Sequence, residues 1–289
     1  MISAAEKLRS LLEKPNILIT PACFDALSAR LIERTGFDIS FMSGFAVSAA
    51  RLGLPDTGLI SYAEMVEQGR NICNAVSIPV IGDGDTGYGN ALNVKRTVKG
   101  YAQAGFGCIM IEDQLAPKRC GHTQGKQVVN REEALGRIRA AVDARDEGAD
   151  ILIMARTDAR ATDGFKEAMW RIDAFSKIGA DILFLEAPQS EKEMLAFCND
   201  VPGQKMANLV EQGDTPMLPP EALQEMGFKI VLYPLTLIKS ALAAMETSLL
   251  SLKQGKTPKY LADFSHLRDV VGFPDYYEAE QKYANESKF

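Results

Sequence analysis

Eight short runs of β-branched and large apolar residues, separated by helix-like stretches and interrupted by no linker, predict a closed (β/α)8 barrel of the TIM type. The runs lack polar alternation, which suits parallel strands covered on both faces. A length of 289 residues accommodates one such barrel, because closed α/β units run to about 250 residues as a single domain. An open doubly wound sheet is the structural rival. It should carry a glycine-rich dinucleotide turn after its first strand, and TPACFDALSA stands there instead.

In order, the runs are ILITPA at 17–22, DISFMSG at 38–44, IPVIGDGD at 78–85, CIMIED at 108–113, ILIMART at 151–157, ILFLEAP at 182–188, KMANLV at 205–210 and KIVLYP at 229–234. Helical patterns fill the gaps, among them DALSARLIERTG ending on Gly36, ALNVKRTVKGYAQAG ending on Gly105 and FKEAMWRIDAFSKIG ending on Gly179. A glycine just past the last apolar turn is a helix stop. The N-terminal MISAAEKLRSLLEKPN reads as an amphipathic helix without a signal-peptide core. After Pro234 the chain continues through TLIKSALAAMETSLLSLKQG to an aromatic, charged tail, more than one closing helix needs. Residues 1–289 are therefore read as one barrel domain, with 235–289 as closing and assembly helices. Solvent-exposed helices would account for the surplus equally well.

Apolar residues at 46% and charged residues at 24% exclude a disordered, collagenous or coiled-coil chain. Lys plus Arg total 32 against 38 Asp plus Glu, a formal charge of −6, so no electrostatic grip on nucleic acid or anionic lipid is expected. No apolar run approaches the roughly 20 residues of a membrane span, and a cytoplasmic protein is expected. The five cysteines are odd in number, scattered and free of CxxC pairs, which argues against a disulfide framework or a structural zinc.

In barrel enzymes the chemistry sits at the carboxyl ends of the strands. Unusual polar residues recur there: Ser43 and Gly44, Asp83 and Asp85, Glu112 and Asp113, Arg156 and Asp158, Glu186, and Asn208. In GDGDTGYGN, Asp83 and Asp85 stand two apart, so both side chains can point one way, and hard oxygen ligands suit Mg2+ or Mn2+ rather than zinc. Asp56 and Glu112 are further carboxylates able to hold metal-bound water. The same segment also suits a glycine-rich turn whose aspartate caps the helix at 90–104. In PKRCGHTQGKQ, after the fourth run, Cys120 has Lys118, Arg119 and His122 as neighbours, and cationic surroundings lower a thiol pKa. Gly121 and Gly125 make that loop a candidate lid. Arg156 reads either as a structural partner of Glu186 or Glu112 or as a clamp on a substrate carboxylate.

These residues resemble the isocitrate lyase and phosphoenolpyruvate mutase superfamily over essentially the whole chain. KRCGH at 118–122 is similar to the signature loop of its C–C lyase branch, and SGFAVSAARLGLPDTG, DGDTGYGNALNV, IEDQ, ARTDA and NLVEQGDTP follow in family order. GHTQGKQV and NLVEQGDTPMLPPEAL resemble the members that cleave 2,3-dimethylmalate and related 2-alkylmalates; methylisocitrate cleavage and oxaloacetate hydrolysis are the alternatives. The resemblance implies Mg2+, with Mn2+ able to substitute, and a di- or tricarboxylate substrate split into pyruvate and a carboxylate such as propionate. It implies Asp85 as the direct metal ligand, with Asp83, Asp56 and Glu112 acting through waters. Ser43, Gly44 and Gly121 are implied to hold substrate, Arg156 its carboxylate, and Glu186 and Asn208 the pocket shape. Cys120 is implied as the proton donor to the leaving fragment, with His122 and Lys118 compensating charge. Methylisocitrate lyases place a tyrosine where this chain has Phe41, so the base is open between Glu112 and water. Similar lyases carry a hydroxyl two positions past the strand-seven Asn where this chain has Val210, which suits a methyl group better than a carboxylate. A homotetramer with exchanged C-terminal helices is also implied. A non-catalytic dicarboxylate-binding barrel would require the acidic cluster and the cysteine loop to be incidental.

Overall fold

The computed structural model describes residues 2–119 and 125–286. They fall into two compact units, Met1–Ile238 and Lys239–Phe289. In the first, eight parallel strands close into a barrel in chain order: β1 Leu18–Cys23, β2 Ser40–Met42, β3 Val80–Asp83, β4 Cys108–Glu112, β5 Leu152–Thr157, β6 Ile182–Leu185, β7 Gln204–Asn208 and β8 Ile230–Tyr233. Closure comes where β8 pairs with β1, setting Leu18 opposite Ile230 and Thr20 opposite Leu232. The (β/α)8 architecture expected from the sequence is the one observed.

The period of two along each strand divides the core into two layers. On β4, Cys108 and Met110 pack inside the barrel with Met154, Phe184, Met206 and Leu232, whereas Ile109 and Ile111 pack outward under the helices. Leu8, Leu11 and Leu12 of the N-terminal helix Ala4–Glu13 join the interior cluster. That helix starts on a capping box, in which Ser3 Oγ accepts from the Glu6 amide and the Glu6 carboxylate accepts from the Ser3 amide. The helices Ala91–Ala104 and Phe165–Ile178 stop on Gly105 and Gly179, both left-handed at φ 100° and 107°, as the helix-stop reading required.

Most strands end before the polar tail of the apolar run that announced them. The second run was expected to reach Gly44, the third Asp85 and the sixth Pro188, but β2, β3 and β6 stop at Met42, Asp83 and Leu185. The backbone turns out of the ladder there: Ser43 becomes the cap of the short helix Gly44–Val47, and Asp85 and Ala187 adopt φ of 49° and 52°. Ser43, Asp85, Glu186 and Val210 thereby leave the sheet at one rim of the barrel.

The second unit contains most of the helix Thr236–Lys253, together with the helices Phe264–Val270 and Phe273–Glu286. Among the described residues, no helix is long and apolar enough to cross a membrane.

Candidate active site

The end of β3 is shaped by close backbone approach. The Asp83 carboxylate accepts from the Gly44 amide (3.1 Å) and the Asp85 amide (3.0 Å), and its backbone carbonyl accepts from the Tyr101 hydroxyl (2.7 Å). A Cβ on residue 44 would lie 2.6 Å from Asp83 Oδ2, so only glycine allows this contact. The left-handed Asp85 is strain of the kind that clusters at functional sites, and it is held by the Glu112 amide, which donates to the Asp85 carbonyl (2.9 Å). The capping alternative for this segment is answered directly. Asn90 caps the helix Ala91–Ala104, its Oδ1 accepting from the amides of Leu92 and Asn93, which leaves Asp83 and Asp85 at the barrel mouth.

Lys118 closes this acidic half. Its Nζ lies 2.6 Å from Asp56 Oδ1 and 2.8 Å from Asp85 Oδ1, with all three side chains about 95% buried. Against the effect of burial, Asp85, Asp83, Asp56 and Glu112 hold the Lys118 ammonium well above its ordinary pKa. Burial pushes the Asp83 carboxyl up, with Asp85 adding repulsion, and pushes Glu112 well above the ordinary carboxylate range. Burial is the main cause of both shifts, with Asp85 repelling Asp83 and Asp158 repelling Glu112 in addition.

Arg156 anchors the other half. Its Nε and Nη2 donate to the two oxygens of Asp158 (2.8 and 3.0 Å), while Glu112 lies 3.4 Å from Nε and Glu186 lies 3.7 Å from Nη2. Glu112 and Glu186 are thus partners as the sequence suggested. Asp158 is the nearer one, and the Arg-x-Asp spacing on one strand face could have revealed it. Asn208 Nδ2 donates to Glu186 Oε2 (3.3 Å).

The two halves enclose a cavity of about 500 Å3, counting the space open at its mouth. Ser43, Asp56, Asp83, Glu112, Lys118, Arg156, Glu186, Asn208 and Val210 line it, with Arg119 beside Lys118. Sequence reasoning had not anticipated the apolar lining made by Phe45, Phe184, Leu232, Pro234 and Leu235; these looked like ordinary strand and loop residues. The amides of Ser43 and Gly44, expected to hold substrate, are engaged within the protein, donating to the Cys23 carbonyl and to Asp83, and Ser43 Oγ accepts from the Ala46 amide. Cys120, Gly121 and His122 lie outside the described residues.

The donor chemistry fits a hard divalent cation. Among the described residues no three His, Cys, Asp or Glu side chains form a ready-made metal cage. Among the described residues the carboxylates of the rim nevertheless offer oxygen donors: Glu112 Oε1 is buried without a hydrogen bond, while Asp56 Oδ1 and Asp85 Oδ1 have the Lys118 ion contact alone. Mg2+ keeps several waters and takes few protein ligands, so oxygens of this kind satisfy it without a closed cage.

The phosphoenolpyruvate phosphomutase family pattern matches residues 8–253. Over 287 residues the chain is 43% identical to 2,3-dimethylmalate lyase of Eubacterium barkeri, covering 98% of this chain and 99% of that one. The chain belongs to the phosphoenolpyruvate mutase/isocitrate lyase superfamily. Within that superfamily it is also 41% identical to 2-methylisocitrate lyase of Aeropyrum pernix, with 93% and 87% of the two chains covered. Among solved superfamily structures, oxaloacetate acetylhydrolase in complex with 3,3-difluorooxalacetate superposes with a TM-score of 0.94 at 35% identity, covering 98% of each chain. Phosphonopyruvate hydrolase in complex with oxalate and Mg2+ superposes at 0.86 with 30% identity, covering 98% and 99%. The superfamily's members include C–C lyases and mutases. Of the described residues singled out from the sequence, Ser43, Asp56, Asp83, Glu112, Lys118, Arg156, Glu186, Asn208 and Val210 line this cavity, whereas Asp85 and Gly44 do not line it and touch lining residues instead, Asp85 through Lys118 and Gly44 through Asp83.

Proposed function

We propose that the protein is a Mg2+-dependent C–C lyase that cleaves a substituted malate, foremost 2,3-dimethylmalate, to pyruvate and propionate. The observation that carries this reading is the mixed lining of the cavity. Carboxylates, Lys118 and Arg156 supply its polar lining, and Phe45, Val210 and Leu235 supply apolar surface for alkyl substituents. The likeness to 2,3-dimethylmalate lyase supports it independently.

In this reading Asp85 binds Mg2+ directly, and Asp83, Asp56 and Glu112 bind its waters; Mn2+ is an acceptable substitute. When bound, the ion supplies Lewis-acid stabilisation of oxygen charge as the C2–C3 bond breaks. Arg156 clamps the carboxylate that becomes that of pyruvate. The C2 hydroxyl proton passes to Glu112 or to water, since Phe41 has no group that could take it. The electrons of the broken bond pass to C3 of the propionate fragment, and Cys120 donates the proton that quenches them. Lys118 and His122 offset the negative charge, and Glu186 and Asn208 shape the space around the fragment.

Val210 is the expected discriminator against methylisocitrate, whose extra carboxylate would be buried against an apolar side chain. The enzyme should release 2-oxoacid from 2,3-dimethylmalate with a kcat/KM roughly a hundredfold above that for 2-methylisocitrate, and Val210→Thr should narrow the ratio. Oxaloacetate belongs in the same assay, read as oxalate and acetate. A higher kcat/KM on methylisocitrate or oxaloacetate would transfer the assignment to that substrate.

The assembly is proposed to be a homotetramer joined through 235–289. Leu249, Leu250, Phe264 and Tyr276 of the second unit are each more than 60% exposed, an apolar surface that a second copy would cover. Light scattering at four times the chain mass is expected; a monomer would refute it.

A further inference from the structure

Arg156 can serve as a carboxylate clamp only if its guanidinium is kept from collapsing onto the acids around it. Three carboxylates stand within reach, but only Asp158 makes paired hydrogen bonds, through the Nε–Nη2 side of the fork. A guanidinium held by that side presents its other edge, Nη1 with the second Nη2 proton, to a ligand. The Phe184 ring, 5.1 Å from Arg156 Cζ, adds a flat support.

Asp158 is itself fixed from behind. It is fully buried, and its amide donates to Asp113 Oδ1 (2.9 Å). Asp113 Oδ2 accepts from Thr157 Oγ1 (2.6 Å) and Arg171 Nη1 (3.0 Å), so the strand end that carries Asp158 is tied to a second buried ion pair. Lys126, its side chain 5% exposed, donates to Asp158 Oδ1 at 3.1 Å. That second cation offsets part of the Asp158 charge, leaving Arg156 with more attraction for an incoming anion than a simple Arg–Asp pair would have.

We propose that Asp158 is a positioning residue, which with Lys126 holds the Arg156 guanidinium turned toward the cavity and charged for a substrate carboxylate. This rests on the reading of Arg156 as the carboxylate clamp. In Asp158→Asn the side-chain amide faces the guanidinium with one acceptor and one donor. The paired bond is lost, and Arg156 is free to turn onto Glu112 and Glu186.

The test uses the full chain, with Mg2+ and oxalate as probes in titration calorimetry and with kinetics in parallel. Asp158→Asn should weaken oxalate binding in saturating Mg2+ by roughly 10- to 100-fold, the range of a charge-assisted hydrogen bond, and raise KM by a similar factor with kcat changed much less. Mg2+ affinity without oxalate should stay within about twofold. Lys126→Met, which leaves the Arg156–Asp158 pair in place, should weaken oxalate by a few-fold and keeps the idea testable if Asp158→Asn does not fold. Oxalate binding within about 1.5-fold of the parent in every variant that folds, with only a lower Tm, would assign Asp158 a purely structural role and overturn the proposal. Arg156→Gln separates the two readings. If it leaves oxalate binding intact, the clamp reading fails; if it abolishes binding while Asp158→Asn does not, the positioning role fails alone.

Discussion

Asp85→Asn is expected to lower turnover by about a thousandfold or more at a Mg2+ concentration that saturates the parent enzyme, and to shift the Mg2+ midpoint upward by roughly a hundredfold. Asp85 is 3% exposed, stands at the end of β3 in a left-handed backbone conformation, and turns a carboxylate oxygen that accepts no hydrogen bond toward the Lys118 ammonium. An isosteric amide keeps the volume and removes the charge. Stabilising charge on a substrate oxygen is worth several kcal/mol in metal-assisted reactions, and each 1.36 kcal/mol is a factor of ten in rate. The control is thermal stability without Mg2+. Lys118 keeps its contact with Asp56 (2.6 Å) and the repulsion between Asp85 and Asp83 is relieved, so removing this one charge should not unfold the protein. Turnover and Mg2+ midpoint are read from titrations of 2-oxoacid release, with EDTA as the zero point. Unchanged values in a folded variant would remove Asp85 from the metal site.

Why this cluster was legible, while its partners were not, follows from what sequence pattern encodes. Continuous apolar runs record burial on both faces of a strand, so β1 to β8 could be read from them, and the polar residues near the ends of the second to seventh runs marked the rim where the cavity opens. The runs overstated strand length because polarity does not report φ; Asp85 and Ala187 leave the ladder through left-handed backbone that no apolar count reveals. Long-range pairings were read only at Arg156, for which Glu112 and Glu186 had been named; the others were invisible. Lys118 reaching Asp56, Lys126 reaching Asp158 and Arg171 reaching Asp113 span from 32 to 62 residues of chain and depend on how loops fold over the rim. The apolar lining of the cavity was hidden for the opposite reason. Phe184 and Leu232 carry the same signal as any core residue, and only the closed barrel shows that they form a wall of the cavity.

Cys120→Ser is expected to cut pyruvate release from 2,3-dimethylmalate by roughly 10^2- to 10^4-fold, with oxalate binding in the presence of Mg2+ kept within about threefold. The fragment left after C2–C3 cleavage carries carbanion character beside a carboxylate and needs a proton from a group more acidic than an ordinary hydroxyl. A thiol in cationic surroundings meets that need, and a serine in its place does not. The other four thiols are poor competitors. Burial pushes Cys23 up to about 12 and Cys198 up to about 11, raises Cys73 and Cys108 as well, and none of the four lines the cavity. Arg119 and Lys118, the two residues preceding Cys120, do line it. A thiol reagent added with and without oxalate plus Mg2+ therefore provides a second readout. One rapidly modified cysteine, protected by ligand and missing in Cys120→Ser, is the expected pattern. Unchanged pyruvate release in the variant would mean that the proton comes from elsewhere, and the search would move to Glu186 and water at the same rim.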